Sequence, residues 1–340
     1  MLRNFPRILI ALSCIAFLAA ATSCRQKAEM TAEPARVIFE TDFGNDTDDA
    51  IAIDLLHKFA DEGRVELLAV NVNKRGLLPA EFADVINTFY GRGDIPVGVV
   101  EGTTHQDDQY DYCRKTLDST DFERSITDYE SLPAAHLLSR KVLASQPDNS
   151  VNVISVGFST NLAKLLDSPA DEYSPLSGKE LVARKVKSLT VMAGRFESAN
   201  GEFNVTQDIP AAQKVFSEWP GEIVFSPWEL GDKVLYFAKN ITDLEWCVHP
   251  VAVAYKNYIK MPYDRMMWDP TAVIYAIEGD KFFTVGPSGT VSVDSKGITT
   301  FNEDPAGKHR ILSVTEEQAE AAMQYIKERV ALPVKRYSNE

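Results

Sequence analysis

From residue 36 the chain alternates short β-branched runs with amphipathic stretches of about ten to fifteen residues, and this rhythm restricts the fold more than any other feature. Strands are expected at 37–41, 65–72, 95–100, 151–157, 188–194 and 222–228. Helices are expected at 49–62, 79–91, 132–146, 160–168 and 210–219. Strands separated by helices of that length form βαβ units, so the fold class is α/β, with a mainly parallel, Rossmann-like central sheet flanked by helices. Residues 101–125 carry no clear period and are expected to be irregular. Beyond helices at 250–261 and 269–279 the pattern changes. Short alternating strands at 282–287, 290–295, 298–302 and 310–314, punctuated by Gly-containing turns, predict a small antiparallel C-terminal extension. Thr315 and Gln318 form a capping box that opens a last helix, expected to run to about Leu332. No repeat or linker interrupts 36–335, which reads as one domain.

The first 23 residues do not belong to that domain. Arg3 and Arg7 precede an apolar run from Ile8 to Ala21 and then small residues, the order of a secretory signal. The stretch Ala21-Thr22-Ser23-Cys24 resembles a bacterial lipobox, with Ala21 where Leu is usual. It implies an exported protein of the bacterial cell envelope, lipid-anchored at Cys24 in the periplasm or outer membrane, with 24–35 as a polar tether. The membrane is then met only through that anchor. Cys113 and Cys247 remain in the mature body, either paired in the oxidising envelope or as two buried thiols. With 49 acidic against 35 basic residues the chain is repelled by phosphate backbones, so nucleic acid is not an expected partner.

The densest chemistry lies directly after the first strand, in residues 40–50. Glu40, Asp42, Asp46, Asp48 and Asp49 stand within ten positions at a strand's carboxyl end and a helix's start. Carboxylates so close repel one another, and the helix dipole offsets only about 0.3–1 kcal/mol for each. An all-oxygen set of this kind suits Ca2+ or Mg2+ rather than zinc, and the spacing is not that of an EF-hand. Capping and solvated acids would be the alternative.

These residues resemble the D-x-D-P-G-x-D-D-A signature of the inosine–uridine-preferring nucleoside hydrolase family. Phe43 stands in place of Pro, Glu40 in place of the first Asp, and two extra residues precede the final Asp pair. Further resemblances follow in the family's order: residues 156–163 (VGFSTNLA) to G-P-L-T-N, 191–205 (VMAGRFESANGEFNV) to M-G-G…E-F-N, and 268–276 (WDPTAVIYA) to H-D-P-L-A-V-A. The resemblance implies Ca2+ held by Asp42, Asp49, Asp269 and the backbone carbonyl of Val156, with Asp42 as general base on a metal-bound water. It places Asp48 and Asn204 on the ribose 2′- and 3′-hydroxyls, Glu202 on the 5′-hydroxyl, Asn73 near the ribose and Asn200 as a further 5′ contact. Asp46, inside the insertion, could supplement or displace a metal ligand. The implied activity is hydrolysis of ribonucleosides to base and ribose, serving nucleoside salvage, by a homo-oligomer acting on a small-molecule substrate.

Where the family has His, this chain has Trp268, which can stack on a base but hardly protonate it. His105 is the best-placed substitute acid, with Tyr110, Tyr112, Tyr263 and Arg265 as other candidate base contacts. His57 and His136 read as structural, His249 and His309 as peripheral. Two alternatives remain at this point: a non-catalytic ribosyl-binding lipoprotein, and a hydrolase of the same fold acting on another N- or O-ribosyl compound.

Overall fold

A computed structural model describes residues 33–102, 111–244 and 248–337. Cys24, His105, Tyr110 and Cys247, with the export signal, lie outside the described residues.

Nine strands form the main path of a ten-stranded sheet. In chain order they are β1 (Ala35–Thr41), β2 (Val65–Val72), β3 (Val97–Val99), β4 (Val151–Ser155), β5 (Val186–Met192) and β6 (Ile223–Ser226). A short pair, β7 (Leu235–Tyr236) and β8 (Arg265–Met266), forms a separate antiparallel ribbon. Then come β9 (Thr284–Val285), β10 (Gly289–Val293), β11 (Thr299–Glu303) and β12 (His309–Ser313). The spatial order is β11-β10-β12-β6-β5-β4-β1-β2-β3, with β9 on β12.

β1 is an interior strand, parallel to β2 on one side and to β4 on the other. The chain winds outward through β2 and β3, then restarts across β1 with β4, β5 and β6. The carboxyl ends of β1 and β4 are therefore the switch point, where the connecting loops part and leave a crevice. Period-two alternation divides each strand between two cores: Val37 and Phe39 pack on one face, Ile38 on the other, and likewise Ile154 opposes Val153.

The C-terminal strands form the expected small antiparallel extension, with β10 paired to β11 and β12, and β9 paired to β12. β12 runs parallel to β6 and continues the main sheet, while β10 and β11 form an antiparallel hairpin beyond it. Within 101–125, expected to be irregular, residues Tyr112–Ser119 form a helix whose start is capped by Asp111 accepting from the Arg114 N–H. A helix at Gly178–Lys185, also unexpected, opens with a Ser177/Glu180 capping box.

Helix α1 (Asp48–Asp61) is buried along nearly its whole length. At its far end the Lys58 ammonium donates to the Leu332 carbonyl. His57 stacks on Tyr90 with ring centroids 4.5 Å apart and bonds Asn87 at 2.9 Å, and Tyr90 donates to Asp54. His249 lies 3.4 Å from Asp54. Burial lowers His57 to about 3 and His249 well below its ordinary value, so both stay neutral at physiological pH.

Candidate active site

The loop from β1 to α1 sets the floor of the site. Gly44 takes φ +111°, and Phe43, where the family pattern has Pro, is buried edge-on against Phe82 at 5.3 Å. This turn brings Asp42 and the first turn of α1 together. Thr41 donates its hydroxyl to Asp49, the Asp42 N–H reaches the same carboxylate at 3.3 Å, and Asn45 donates to Asp42 at 2.6 Å. From the helix Trp268–Glu278, the Asp269 N–H donates to Asp48 at 3.0 Å. Asp48, Asp49 and Asp269 thereby present carboxylate oxygens within 4.8 Å of one another.

The opposite wall comes from β4 and β5. Val156 follows β4, and its carbonyl accepts from the Asn204 side chain at 2.9 Å. Glu202 caps the short helix Phe203–Gln207, accepting from the Asn204, Val205 and Gly194 N–H groups. Gly157 lies where the chain passes close to Asp42. A Cβ there would lie 2.4 Å from Asn73 Oδ1 and 2.8 Å from Asp42 Oδ1. Gly157→Ala is therefore expected to displace the Asp42 carboxylate and lower kcat/KM by about 10²-fold, with only a small fall in Tm. Steady-state kinetics beside a thermal melt would show it; activity within threefold of the parent would mean the site tolerates the shift.

Together these groups line a cleft of about 360 Å3, to which Asp42, Asp48, Asp49, Glu202, Asn204 and Asp269 contribute polar side chains. Trp228, Trp268, Tyr258, Phe203 and Arg265 also line it. Trp268 donates its indole N–H to the Trp228 carbonyl at 3.0 Å, and the two rings lie 6.2 Å apart. Asp46 lies outside the group of three, although it adjoins Asp48 and raises its value. Both its oxygens are taken by Arg265, through Nε at 2.8 Å and through Nη2.

Burial raises every carboxylate of the cluster, and mutual repulsion adds to it. Asp42 is pushed up to about 6 by burial, against the pull of the Asn45 bond and of Lys74. Asp49 and Asp269 rise well above the carboxylate range, first by burial and then by their acidic neighbours. Two unit charges at that spacing repel by roughly 3 kcal/mol at an effective dielectric constant near 20, which exceeds what a helix terminus returns. The donor set is all oxygen, buried and preassembled, and it fits a hard divalent ion.

The structure brings Asp42, Asp48, Asp49, Val156, Glu202, Asn204, Trp268 and Asp269 to one cleft. Asn73 stands behind the wall, its side-chain oxygen holding the Phe158 N–H at 3.0 Å. Asn200 is exposed on the preceding loop and takes no part in the lining. Glu40 lies beneath the floor, accepting from Asn71 and Asn161, and is raised to about 7 by burial. Tyr112 is wholly buried, and Tyr263 donates to the Tyr255 carbonyl, so neither lines the cleft. Among the described histidines none lines it. Trp228, Phe203 and Tyr258 went unnoticed in the sequence; a Trp two residues beyond a strand end was the one available signal for the first.

Residues 37–329 match the family described as inosine-uridine preferring nucleoside hydrolase. The chain belongs to that family. Its activity is therefore that of a nucleoside N-ribohydrolase, a hydrolase of N-glycosyl compounds. Solved nucleoside hydrolases share the fold. A plant nucleoside hydrolase superimposes with TM-score 0.68 at 21% identity, covering 88% of this chain and 100% of that one. An inosine-guanosine nucleoside hydrolase gives 0.69 at 20%, covering 88% and 99%. A purine-preferring ribonucleoside hydrolase from Gardnerella vaginalis gives 0.68 at 16%, covering 88% and 100%. Among the curated proteins no sequence matches. Members of the family are metal-dependent, and the Asp48, Asp49 and Asp269 cluster is where this nucleoside hydrolase could hold its ion.

Proposed function

We propose that this nucleoside hydrolase is Ca2+-dependent, cleaves ribonucleosides or closely related ribosyl compounds to free base and ribose, and uses Asp42 as its general base. The observation that carries this reading is that buried Asp42, Asp48, Asp49 and Asp269 line one cleft with Val156, whose carbonyl accepts from Asn204, and with Glu202. Asp42, Asp49, Asp269 and the Val156 carbonyl would hold the ion; that carbonyl has a second lone pair beyond the one Asn204 uses. Bound Ca2+ would polarise water and ligate sugar oxygens.

The chain's own residues do the rest. Asp42 receives the proton of the attacking water. Asp48 and Asn204 hydrogen-bond the ribose 2′- and 3′-hydroxyls and Glu202 the 5′-hydroxyl, which fixes the anomeric carbon against the incoming oxygen. The ring of carboxylates stabilises positive charge as it grows on the sugar. Asn73 supports the 157–158 turn from behind. We further propose a homo-oligomer exported to the bacterial envelope and anchored at Cys24, on the strength of the family and of the export-type leader.

Release of reducing sugar from a nucleoside panel, with chelator added and removed, tests the activity. No release from any ribosyl substrate, alongside tight nucleoside binding, would leave a binding protein instead. The tether is expected to be dispensable: a chain beginning at Glu33, which keeps the Ala35 N–H bond to Arg64, should retain the parent kcat within twofold. A large loss on truncation would contradict the division into anchor and domain.

A further inference from the structure

Cleaving an N-glycosidic bond leaves an electron pair on the departing base, and a proton or a positive charge must stabilise it. In this cleft the obvious donors are already spent. The Trp268 indole N–H is bonded to the Trp228 carbonyl. His57 and His249 are buried around α1, while His309 accepts from the Val291 N–H on the far side of the sheet. The buried carboxylates have values raised by burial, and the Asn204 amide already donates to the Val156 and Met192 carbonyls.

Arg265 is the one cationic side chain among the described residues that line the cleft. It comes from β8, whose backbone is pinned by pairing Arg265 with Tyr236 three residues before Trp268. Asp46 grips Nε and Nη2 of the guanidinium in a two-pronged contact, which fixes the plane and leaves Nη1 over. The guanidinium carbon sits 5.0 Å from the Trp268 ring centroid and 5.4 Å from that of Tyr258. Asp46 falls in the stretch where this chain is two residues longer than the family signature, so the insertion and the fixed arginine arrive together.

We propose that Arg265 is a catalytic residue that receives the leaving base by electrostatic stabilisation instead of proton transfer, and that Asp46 is its positioning residue. The inference rests on the nucleoside hydrolase reading above and names the leaving-group partner within it. In the reaction the bond from the anomeric carbon to the base nitrogen breaks, and its electron pair goes to the base. The water oxygen forms the new bond to the anomeric carbon and passes a proton to Asp42. A guanidinium keeps its own proton near neutral pH, but its charge and its remaining N–H lower the energy of the base anion as it forms. Once released, the anion takes a proton from solvent and Asp42 returns one to solvent, so base and ribose leave for each water consumed.

Such a device matters in proportion to how poor the leaving group is. The test compares the best-cleaved nucleoside with 4-nitrophenyl β-riboside, whose phenolate departs unaided, in the parent, Arg265→Gln, Arg265→Lys and Asp46→Asn proteins. Arg265→Gln is expected to lower kcat on the nucleoside by about 10²–10³-fold and on the nitrophenyl riboside by less than threefold. Arg265→Lys should recover part of the loss, and Asp46→Asn should show a smaller loss with the same substrate selectivity. The inhibition constant of ribose reports whether the sugar side stays intact and should not move. Equal losses on both substrates, or none on either, overturn the inference. If the parent cleaves neither compound, the hydrolase reading itself fails and this inference with it.

Discussion

Asp42→Asn is expected to lower kcat on nucleosides by about 10²–10⁴-fold, the usual worth of a positioned general base. Asn keeps an oxygen at the same place, so the Asn45 contact can persist and the metal side of the site loses charge more than shape. What Asn cannot do is accept the water's proton. Ribose affinity, measured by calorimetry, should fall far less than kcat. A variant that retains a tenth or more of the parent kcat would remove Asp42 from the role of base and direct attention to Asp48 or Asp49.

Chelation should abolish turnover, and it should also change how stability depends on pH. Asp42, Asp48, Asp49 and Asp269 all have folded-state values raised by burial. Without a cation the folded chain thus binds more protons than the unfolded one, and stability falls as pH rises through the folded values. For Asp42 that loss runs from about pH 4 to just above its value of about 6. His57 and His249 act with the opposite sign, since they are held neutral and cost stability as pH drops below about 6.5. Their contribution is the same with and without metal, so the difference between the two melts isolates the carboxylates. That difference should be small at pH 5 and widen toward pH 8, reaching roughly 2.7 kcal/mol with Ca2+ at a hundred times its Kd. Identical melts at every pH would mean that these acids hold no ion.

The parallel sheet was legible because fully buried strands read as unbroken β-branched runs, and the acidic floor because its members are adjacent in sequence. The short helices at Tyr112–Ser119 and Gly178–Lys185 were harder, since eight residues give barely two turns of periodicity. Their local signals, an Asp cap and a Ser-x-x-Glu box, were present and carried more information than the hydrophobic pattern. The C-terminal strands were expected at nearly their observed places. Their partners were not, because the pairing of β12 with β6 joins segments some 85 residues apart and no turn chemistry announces it. Asp46 shows the same limit at the site. In sequence it belongs to the acidic run, and only the fold brings Arg265 across 219 positions to claim it.

Helix α1 joins two jobs in one rod. Its first turn carries Asp48 and Asp49, and about 15 Å away its last turn meets the C-terminal segment through Lys58 and Leu332. A slide by one residue would move both acids by about 1.5 Å, enough to spoil the spacing of the cluster. The tail of the chain thus works as a backstop: it touches nothing in the cleft, yet it sets how far forward the acids stand.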